Sequence, residues 1–345
     1  MRPNIALAEK HIFHLARERM GFDPSYETYL AKEQDRDLIS KFFFKFHQPP
    51  TQYIDSNGNV MVYAPILKCA ESQIRQGMKG SMKSAYKHVG MPGNLYTFFK
   101  TYMPKLTPQT KPPCVITAVR DPISHFLSGY AQLEEFYVQR QDEIRVTTSG
   151  ADDDSLDDVY SKELFLDRMF TRYRQGSTKR FEQFVDNILS AAKSVDSYLF
   201  NAWQAHIYPL SGVLAGLAEA NVSLTAYLPS IRNLTAHWPV FVSEACPGVV
   251  FPEGFATSPM HLKVSADQHG SSTAEKGRDC RSAANDVWEM GGDAAEALCI
   301  LHVMDYACFD KLEVPQLCKD VYSDSSFINV VESEFAEEID VNPDS

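Results

Sequence analysis

The segment from Cys114 to Tyr130 (CVITAVRDPISHFLSGY) constrains the fold more than any other part of this chain, because an apolar run changes there into a helical pattern. The first six residues are apolar or β-favouring, which suits a buried strand and is too short for a buried helix. Asp121 can cap the helix that follows, and Pro122 fits its first turn, where the missing N–H carries no penalty. The segment therefore predicts a strand that enters a helix through a charged corner, which is the geometry of a phosphate site.

Arg120 would project from the carboxyl end of this strand, the edge at which open α/β sheets bind ligands. Its planar guanidinium can hold a phosphate through two parallel hydrogen bonds. Ser124 and Ser128 stack one turn apart on the helix. An Arg at a strand end with a Ser eight residues later resembles the 3′-phosphate-binding motif of sulfotransferases that use 3′-phosphoadenylyl sulfate (PAPS), and Arg120 and Ser128 match that spacing. The alternative is a surface Arg and a helix Ser in an unrelated α/β protein.

A second candidate motif lies upstream, between Asn59 and His88. The residues from Val60 to Leu67 read as a strand that follows a turn signal (SNGN), and the pattern becomes helical after Glu71. Ser72 stands where an N-cap would. A strand, a Lys, a short turn and a hydroxyl that opens a helix resemble the 5′-phosphosulfate loop of the same family. The resemblance implies that the following residues bind the nucleotide: Lys68, Cys69, Ala70, Ser72 and Gln73.

The chemistry of such a loop is that of other phosphate sites, since unpaired N–H groups and the positive end of a helix dipole face the anion. Lys68 would add a mobile charge and neutralise the departing phosphate. The chain departs from the family pattern at two positions, with Leu67 in place of Pro and Glu71 in place of Gly or another small residue. A buried, unpaired carboxylate would repel a phosphosulfate, so we expect Glu71 to point outward, to pair with a cation or to serve the acceptor.

The fold that the resemblance implies is a three-layer α/β/α sandwich around a central parallel sheet, with PAPS across the carboxyl ends of the strands. The implied reaction transfers a sulfuryl group from PAPS to a hydroxyl or amine of a carbohydrate or small-molecule acceptor. It releases adenosine 3′,5′-bisphosphate and needs no metal. Two alternatives remain. One is a P-loop-like nucleotide kinase, although GxxxxGK[ST] is absent, and the other is an inactive PAPS-binding or scaffold protein.

The catalytic base is less determined, because related sulfotransferases use either a His or a Glu for this role. We rank His206 first, since its segment can return over the cleft, and Glu71 second. His88 ranks third, because a helix of about sixteen residues would carry it about 24 Å from the phosphate loop. A structural, hydrogen-bonded histidine is at least as compatible with each of the two His positions.

The domain organisation expected is a helical arm over residues 1–50, a sulfotransferase domain over 51–322 and an acidic, disordered tail over 323–345. Within the domain, Val222 to Tyr227 and Val240 to Val242 read as strands that extend the parallel sheet.

The residues from His261 to Arg281 are polar, contain Gly and resemble the family's late loop that folds over the nucleotide. Lys276 and Arg278 can reach a phosphate from such a loop. The alternative for either residue is a solvated charged loop.

The overall charge bears on the partners. The chain of 345 residues has a net charge of −12, so nucleic acid or a heavily sulfated polymer is disfavoured as a partner in the absence of a basic patch. A neutral or weakly charged hydroxyl compound is the expected acceptor. No apolar run is long enough for a membrane span, and no signal peptide follows Met1. Nothing in the sequence indicates an oligomeric state.

The seven cysteines show no metal-binding spacing. Four of them, Cys280, Cys299, Cys308 and Cys318, can form two disulfides in an oxidising compartment or stay as buried thiols. The compartment is therefore open, with the Golgi lumen expected if an N-terminal anchor precedes this chain and the cytoplasm otherwise.

Overall fold

A computed structural model describes most of the predicted central domain. It covers residues 50–79, 95, 98–103, 111–147, 173–193, 206–207, 209–214, 217, 220–252, 271–302, 305–306 and 309–322. Nearly all of the predicted N-terminal arm and the whole acidic tail lie outside these residues, and so does His88. The division into arm, domain and tail stays a prediction.

The described strands form one open, mixed sheet in the order β1-β2-β3-β4. Its strands are β1 (Thr51–Ile54), β2 (Val60–Tyr63), β3 (Cys114–Ala118) and β4 (Ala226–Leu228). The last three strands are parallel to one another, whereas β1 runs antiparallel to β2. The short link between β1 and β2 explains this difference, because so few residues can join only antiparallel neighbours. The protein is thus broadly α/β, with a mixed sheet: β2, β3 and β4 are parallel as expected of the central sheet, and β1 adds an antiparallel strand that was not predicted.

Helices make up most of the remaining described structure. They are α1 (Glu71–Lys79), α2 (Pro122–Thr147), α3 (Thr178–Lys193), α4 (Leu210–Val213), α5 (Leu234–Ala245), α6 (Ser271–Met290), α7 (Asp293–Leu301) and α8 (Gln316–Tyr322), with a π-helical turn at Phe98–Tyr102. None of the helices in the described part of the chain combines the length and apolar character that crossing a bilayer requires.

Helical residues cover both faces of the central strands. Side chains of β2 and β3 alternate between two buried clusters, as the two-residue period of a strand requires. One cluster joins the strands to the π-helical turn and α4, through Val60, Val62, Val115, Phe98 and Leu210. The other joins them to α1 and α5, through Met61, Tyr63, Ile116, Ile74 and Trp238. A third cluster joins α2, α3, α6 and α7 through Phe126, Tyr130, Phe181, Phe184, Val287 and Leu298.

Three strand predictions differ from the structure. The apolar triplet at residues 240–242 lies inside α5, because Leu234, Trp238 and Val242 recur every four residues and are the residues that this helix buries. β4 begins at Ala226, four residues later than predicted, and β2 ends at Tyr63 rather than at Leu67. The strand predicted after residue 113 is confirmed as β3, to within one residue.

Two disulfides brace the described structure. Cys114, the first residue of β3, is bonded to Cys246, which follows α5, and Cys299 in α7 is bonded to Cys318 in α8. Of the four cysteines near the C-terminus for which disulfides or buried thiols were both open, Cys280 is a buried free thiol, and Cys308 lies outside the described residues. The bond between Cys114 and Cys246 was not predicted, because 132 residues of sequence separate the two.

Candidate functional site

The corner between β3 and α2 has the local structure that the sequence predicts. α2 begins at Pro122, and Asp121 caps it, since the Asp121 carboxylate accepts a hydrogen bond from the backbone N–H of Ser124 at 2.6 Å. The second oxygen of Asp121 accepts the hydroxyl of Tyr306 at 2.9 Å. Both oxygens are therefore engaged in holding the helix start, which leaves Arg120 as the charged group at this corner that can face an anion.

The loop of residues 67–70, called the Lys68 loop below, connects β2 to α1. Lys68 and Ala70 have φ angles of 63° and 59°, in the left-handed region that residues other than Gly rarely adopt. Between them, Cys69 donates its backbone N–H to the carbonyl of Ile66 at 3.2 Å. Turns that contain left-handed residues can direct successive backbone N–H groups to one side, which is a known form of anion site.

The start of α1 differs from the prediction. The carbonyl of Ala70 accepts the N–H of Ile74 at 3.0 Å, so Ala70 rather than Ser72 occupies the N-cap position. Ser72 is an exposed residue of the first turn, and its hydroxyl donates to the carboxylate of Glu71 at 3.2 Å. Ser72 and Gln73 still lie in the first turn, where backbone N–H groups lack partners within the helix.

Glu71 is buried and paired with a cation, one of the three arrangements expected for it. Its carboxylate lies 2.8 Å from the guanidinium of Arg75, one turn along α1. The ion pair offsets the negative charge that Glu71 would otherwise present to an anion.

The two predicted motifs meet at the carboxyl edge of the sheet. A guanidinium nitrogen of Arg120 donates to the backbone carbonyl of Lys68 at 3.3 Å, and another donates to the hydroxyl of Ser124. His125, in the first turn of α2, forms a hydrogen bond of 2.9 Å with the carbonyl of Leu67. The parallel pairing of β2 with β3 brings these ends together, because parallel strands end at the same edge.

Positive charge accumulates at this edge. Burial, together with the charges of Arg120 and Arg281, lowers the pKa of Lys68 to about 8, whereas Glu135 acts in the opposite direction. Burial also lowers the pKa of Arg120, with Arg281 acting in the same sense. Three cations from three parts of the chain therefore lie within electrostatic range of one another. Such a group is most favourable when an anion is bound among its members.

His206 lies beside this cluster. Its backbone carbonyl packs so closely on α2 that a Cβ at Gly129 would collide with it, so Gly is required at that helix position. Burial and the charge of Lys68 lower the pKa of His206 to about 4. The imidazole is therefore neutral at physiological pH and can accept a proton near Lys68.

The remaining predicted residues of the site have different surroundings. The Cys69 side chain is buried, burial raises the pKa of its thiol to about 12, and its backbone N–H is donated to the carbonyl of Ile66. A nucleotide-binding role for Cys69 stays a prediction. Ser128 is half-buried, one turn beyond the Ser124 that Arg120 contacts. Whether Arg120 and Ser128 share a phosphate therefore stays a prediction.

Lys276 and Arg278 lie on a helix and not on a loop. They belong to α6, and their side chains are outside the described residues. The polar composition of this segment suggested a loop, but Cys280, Ala283, Ala284 and Val287 recur at helical spacing and are all buried.

Two charged residues near Lys68 were missed in the sequence. Arg281 is exposed on α6, three residues beyond Arg278, and Glu135 is half-buried on α2. A signal for Glu135 exists, because Ser124, Ser128 and Glu135 are spaced by four and seven residues and so share one face of α2. No local signal marks Arg281, which reaches the site only through the packing of α6.

A buried polar group near α2 has the composition of a hydrolase triad but not its order. Asp305 accepts both the backbone N–H and the hydroxyl of Ser211 at 2.7 Å, and it also bonds the Nδ1 of His302 at 2.8 Å. The serine thus contacts the carboxylate and not the imidazole, so the histidine cannot act as its base. The group ties α4 to the end of α7. Within the described residues, no cluster of His, Cys, Asp and Glu is arranged to hold a metal ion.

No family model matches the chain, and no match is found among curated proteins or among solved structures. The function must therefore be inferred from the residues themselves.

Proposed function

We propose that this protein is a PAPS-dependent sulfotransferase, which transfers a sulfuryl group to a hydroxyl or amine of a carbohydrate or small-molecule acceptor. One observation carries the proposal. Lys68 and Arg120, from two parallel strands, are joined by a hydrogen bond of 3.3 Å at the carboxyl edge of the sheet, within range of a third cation, Arg281. Sites for polyphosphate-like anions need this combination of curled backbone, strand-end cations and a helix start.

The proposal includes the finer fold, a three-layer α/β/α sandwich of the P-loop-like sulfotransferase type. It is supported by the helical residues that pack on both faces of the β2–β3 pair. It is also supported by the two strand-to-helix connections, β2 to α1 and β3 to α2, which both leave the same edge.

The binding roles follow from the positions of the side chains. The Lys68 loop and the first turn of α1, with Ser72 and Gln73, would hold the 5′-phosphosulfate. The guanidinium of Arg120 has five N–H donors and uses two of them in its bonds to Lys68 and Ser124. The remaining donors would bind the 3′-phosphate together with Ser128.

The chemistry is an in-line displacement at sulfur. The acceptor oxygen or nitrogen forms a bond to sulfur while the bond between sulfur and the bridging phosphate oxygen breaks, and the acceptor proton passes to His206. Lys68, with a pKa of about 8, is mostly protonated at neutral pH, and it stabilises the charge that develops on the departing phosphate. His206 is in the neutral form that a base requires.

The acceptor class rests on charge. With a net charge of −12, the protein would repel a polyanionic acceptor beyond its cation cluster, so a sugar or other neutral hydroxyl compound fits better. Tight, salt-sensitive binding to heparin would contradict this part of the proposal.

Thermal unfolding with and without adenosine 3′,5′-bisphosphate tests the nucleotide. We expect the bisphosphate to raise the Tm by several degrees, while adenosine 5′-monophosphate has little effect. A shift with ATP or ADP but none with the bisphosphate would favour a nucleotide kinase.

Turnover of radiolabelled PAPS with a panel of sugar and small-molecule acceptors tests the reaction. Transfer of label is the expected result. Binding of the bisphosphate without transfer to any acceptor would indicate an inactive PAPS-binding protein.

A further inference from the structure

The Lys68 loop is held by the neighbouring corner and not by its own residues. The carbonyl of Leu67 bonds to the Nε2 of His125 at 2.9 Å, and the carbonyl of Lys68 accepts a guanidinium N–H of Arg120 at 3.3 Å. The thiol of Cys69 accepts the backbone N–H of Arg120. Three successive residues of the loop are thus attached to Arg120, which follows β3, or to His125, in the first turn of α2.

The loop needs such support because it contains no glycine. Lys68 and Ala70 have left-handed φ angles, and non-glycine residues keep this conformation only where their surroundings fix it. The C=O and the N–H of a trans peptide point in opposite directions. Holding the carbonyl of Leu67 on His125 therefore directs the N–H of Lys68 away from α2.

His125 is fixed as a hydrogen-bond donor. It is fully buried, and burial, together with His302 and Arg120, holds its pKa well below the usual range, so the ring is neutral. A carbonyl can only accept, which puts the single proton on Nε2. Among the described residues, the Nδ1 atom has no hydrogen-bond partner, so the bond to Leu67 is the one polar contact seen for this ring.

We propose that His125 is a positioning residue, which holds the Lys68 loop in its anion-binding conformation through the carbonyl of Leu67 and so places Lys68 at the site. His125 itself contacts no ligand in this account. The inference rests on the proposed function only for the identity of the anion, because the hydrogen bond and the loop conformation are present whatever the anion is.

Four variants separate the hydrogen bond from packing. His125→Phe and His125→Leu remove the donor and keep an apolar group, whereas His125→Gln keeps an amide N–H at the same number of bonds from Cβ as Nε2. Tyr227→Phe is the control. It removes a partly buried pair of hydrogen bonds, with Asp310 and Lys311, made by a residue of the strand β4.

The measurements are the Kd values for adenosine 3′,5′-bisphosphate and for inorganic pyrophosphate, and the hydrogen-exchange rates of the amides of residues 68–72. We expect the Phe and Leu variants to bind both anions about tenfold more weakly, because a buried carbonyl loses its partner and the loop its conformation. Exchange in the loop should be faster in both. The Gln variant should restore the affinity and the slow exchange, and Tyr227→Phe should change neither.

The inference is overturned if the Phe and Leu variants that fold bind both anions like wild type with unchanged loop exchange, or if Gln loses as much affinity as Phe. If wild type binds pyrophosphate but not the bisphosphate, while the variants keep their order, the sulfotransferase proposal fails and the role of His125 stands. If wild type binds neither anion, the hydrogen-exchange rates of the loop alone test whether His125 holds it. Faster exchange in the Phe and Leu variants then supports the inference, and unchanged exchange overturns it.

Discussion

The two turns at the opposite ends of β2 are built in different ways. The turn before β2 contains Gly58, which has a φ of 77°, and Asp55, whose carboxylate accepts the N–H groups of Asn57 and Asn59 at 2.8 Å. Each residue there suits its conformation. The Lys68 loop after β2 has non-glycine residues at left-handed angles and depends on Arg120 and His125 for support.

The charged residues of the two turns, Asp55 and Lys68, also differ in how their surroundings affect the charge. Burial alone would raise the pKa of Asp55, but hydrogen bonds from Val250, Asn59 and Asn57 lower it to about 2, so this turn contributes to stability through its charge. In the Lys68 loop, burial and neighbouring cations lower the pKa of Lys68, which means that its charge is unfavourable until an anion arrives. Unfavourable features of this kind concentrate at functional sites.

The largest expected effect is that of Lys68→Ala on turnover. In the proposed reaction Lys68 acts mainly on charge that develops in the transition state, so the rate of sulfuryl transfer should fall by about a thousandfold or more while bisphosphate binding weakens only modestly. Steady-state kinetics with labelled PAPS measures this. Lys319→Ala, on the exposed surface of α8, should be indistinguishable from wild type. A Lys68→Ala enzyme with near-normal turnover would end the assignment.

His206→Ala should lower kcat by about a hundredfold while PAPS affinity holds. In the proposed mechanism the base is the neutral imidazole, so the rate should rise with pH as His206 loses its proton. The rise in kcat/KM should lie near pH 4, the pKa in the free protein, and the rise in kcat should lie at higher pH, because bound PAPS offsets the charge of Lys68. His237, exposed on α5, supplies the control. A loss of less than about tenfold would make His206 structural and Glu71→Gln the next variant.

Asp55→Asn should lower the free energy of unfolding by about 1–2 kcal/mol at neutral pH, because charge-assisted hydrogen bonds are weakened, and leave bisphosphate affinity unchanged. The folded-state pKa of Asp55 is depressed, so its contribution is full above about 3.8, the ordinary value, and is lost as the pH falls through about 2. The difference between variant and wild type in chemical denaturation should therefore shrink with acid. A difference that is constant down to pH 2 would show that the charge of Asp55 does not matter.

The smallest effects are a pair with opposite signs. Ala70→Gly removes left-handed strain and should raise the free energy of unfolding by up to about 1 kcal/mol, whereas Gly58→Ala introduces strain and should lower it by about 1 kcal/mol. A Cβ at Gly58 would meet nothing within 4 Å, so backbone strain is the only cause in that case. Thermal unfolding checks both. If both variants changed the free energy of unfolding in the same direction, the contrast between the two turns would be contradicted.

The sequence predicted what depends on neighbours in the chain. The start of α2 could be predicted because Asp121 caps a helix and Pro122 favours its first turn. Lys68 and Arg120 could be expected to meet because parallel strands end at the same edge of a sheet. The left-handed φ angles in the Lys68 loop could not be predicted, because the residues that adopt them, Lys68 and Ala70, are not glycines.

Features that depend on distant packing were also missed. α5 was misread because its apolar triplet fits a strand until the helical period of its buried residues is considered. Arg281 joins the site only through the packing of α6, which is far away in the sequence. These contacts are set by tertiary structure, which overrides local propensity.

The disulfide between Cys114 and Cys246 makes a covalent ring of the chain between them. Arg120, His125 and His206 belong to the ring, whereas Lys68 precedes it and Arg281 follows it. The candidate site therefore combines residues of the ring with residues of the two chain segments that lie outside it, one before Cys114 and one after Cys246. A single cut of the backbone between α2 and α3, within residues 148–172, would open the ring but leave every cation of the site in one covalently connected molecule.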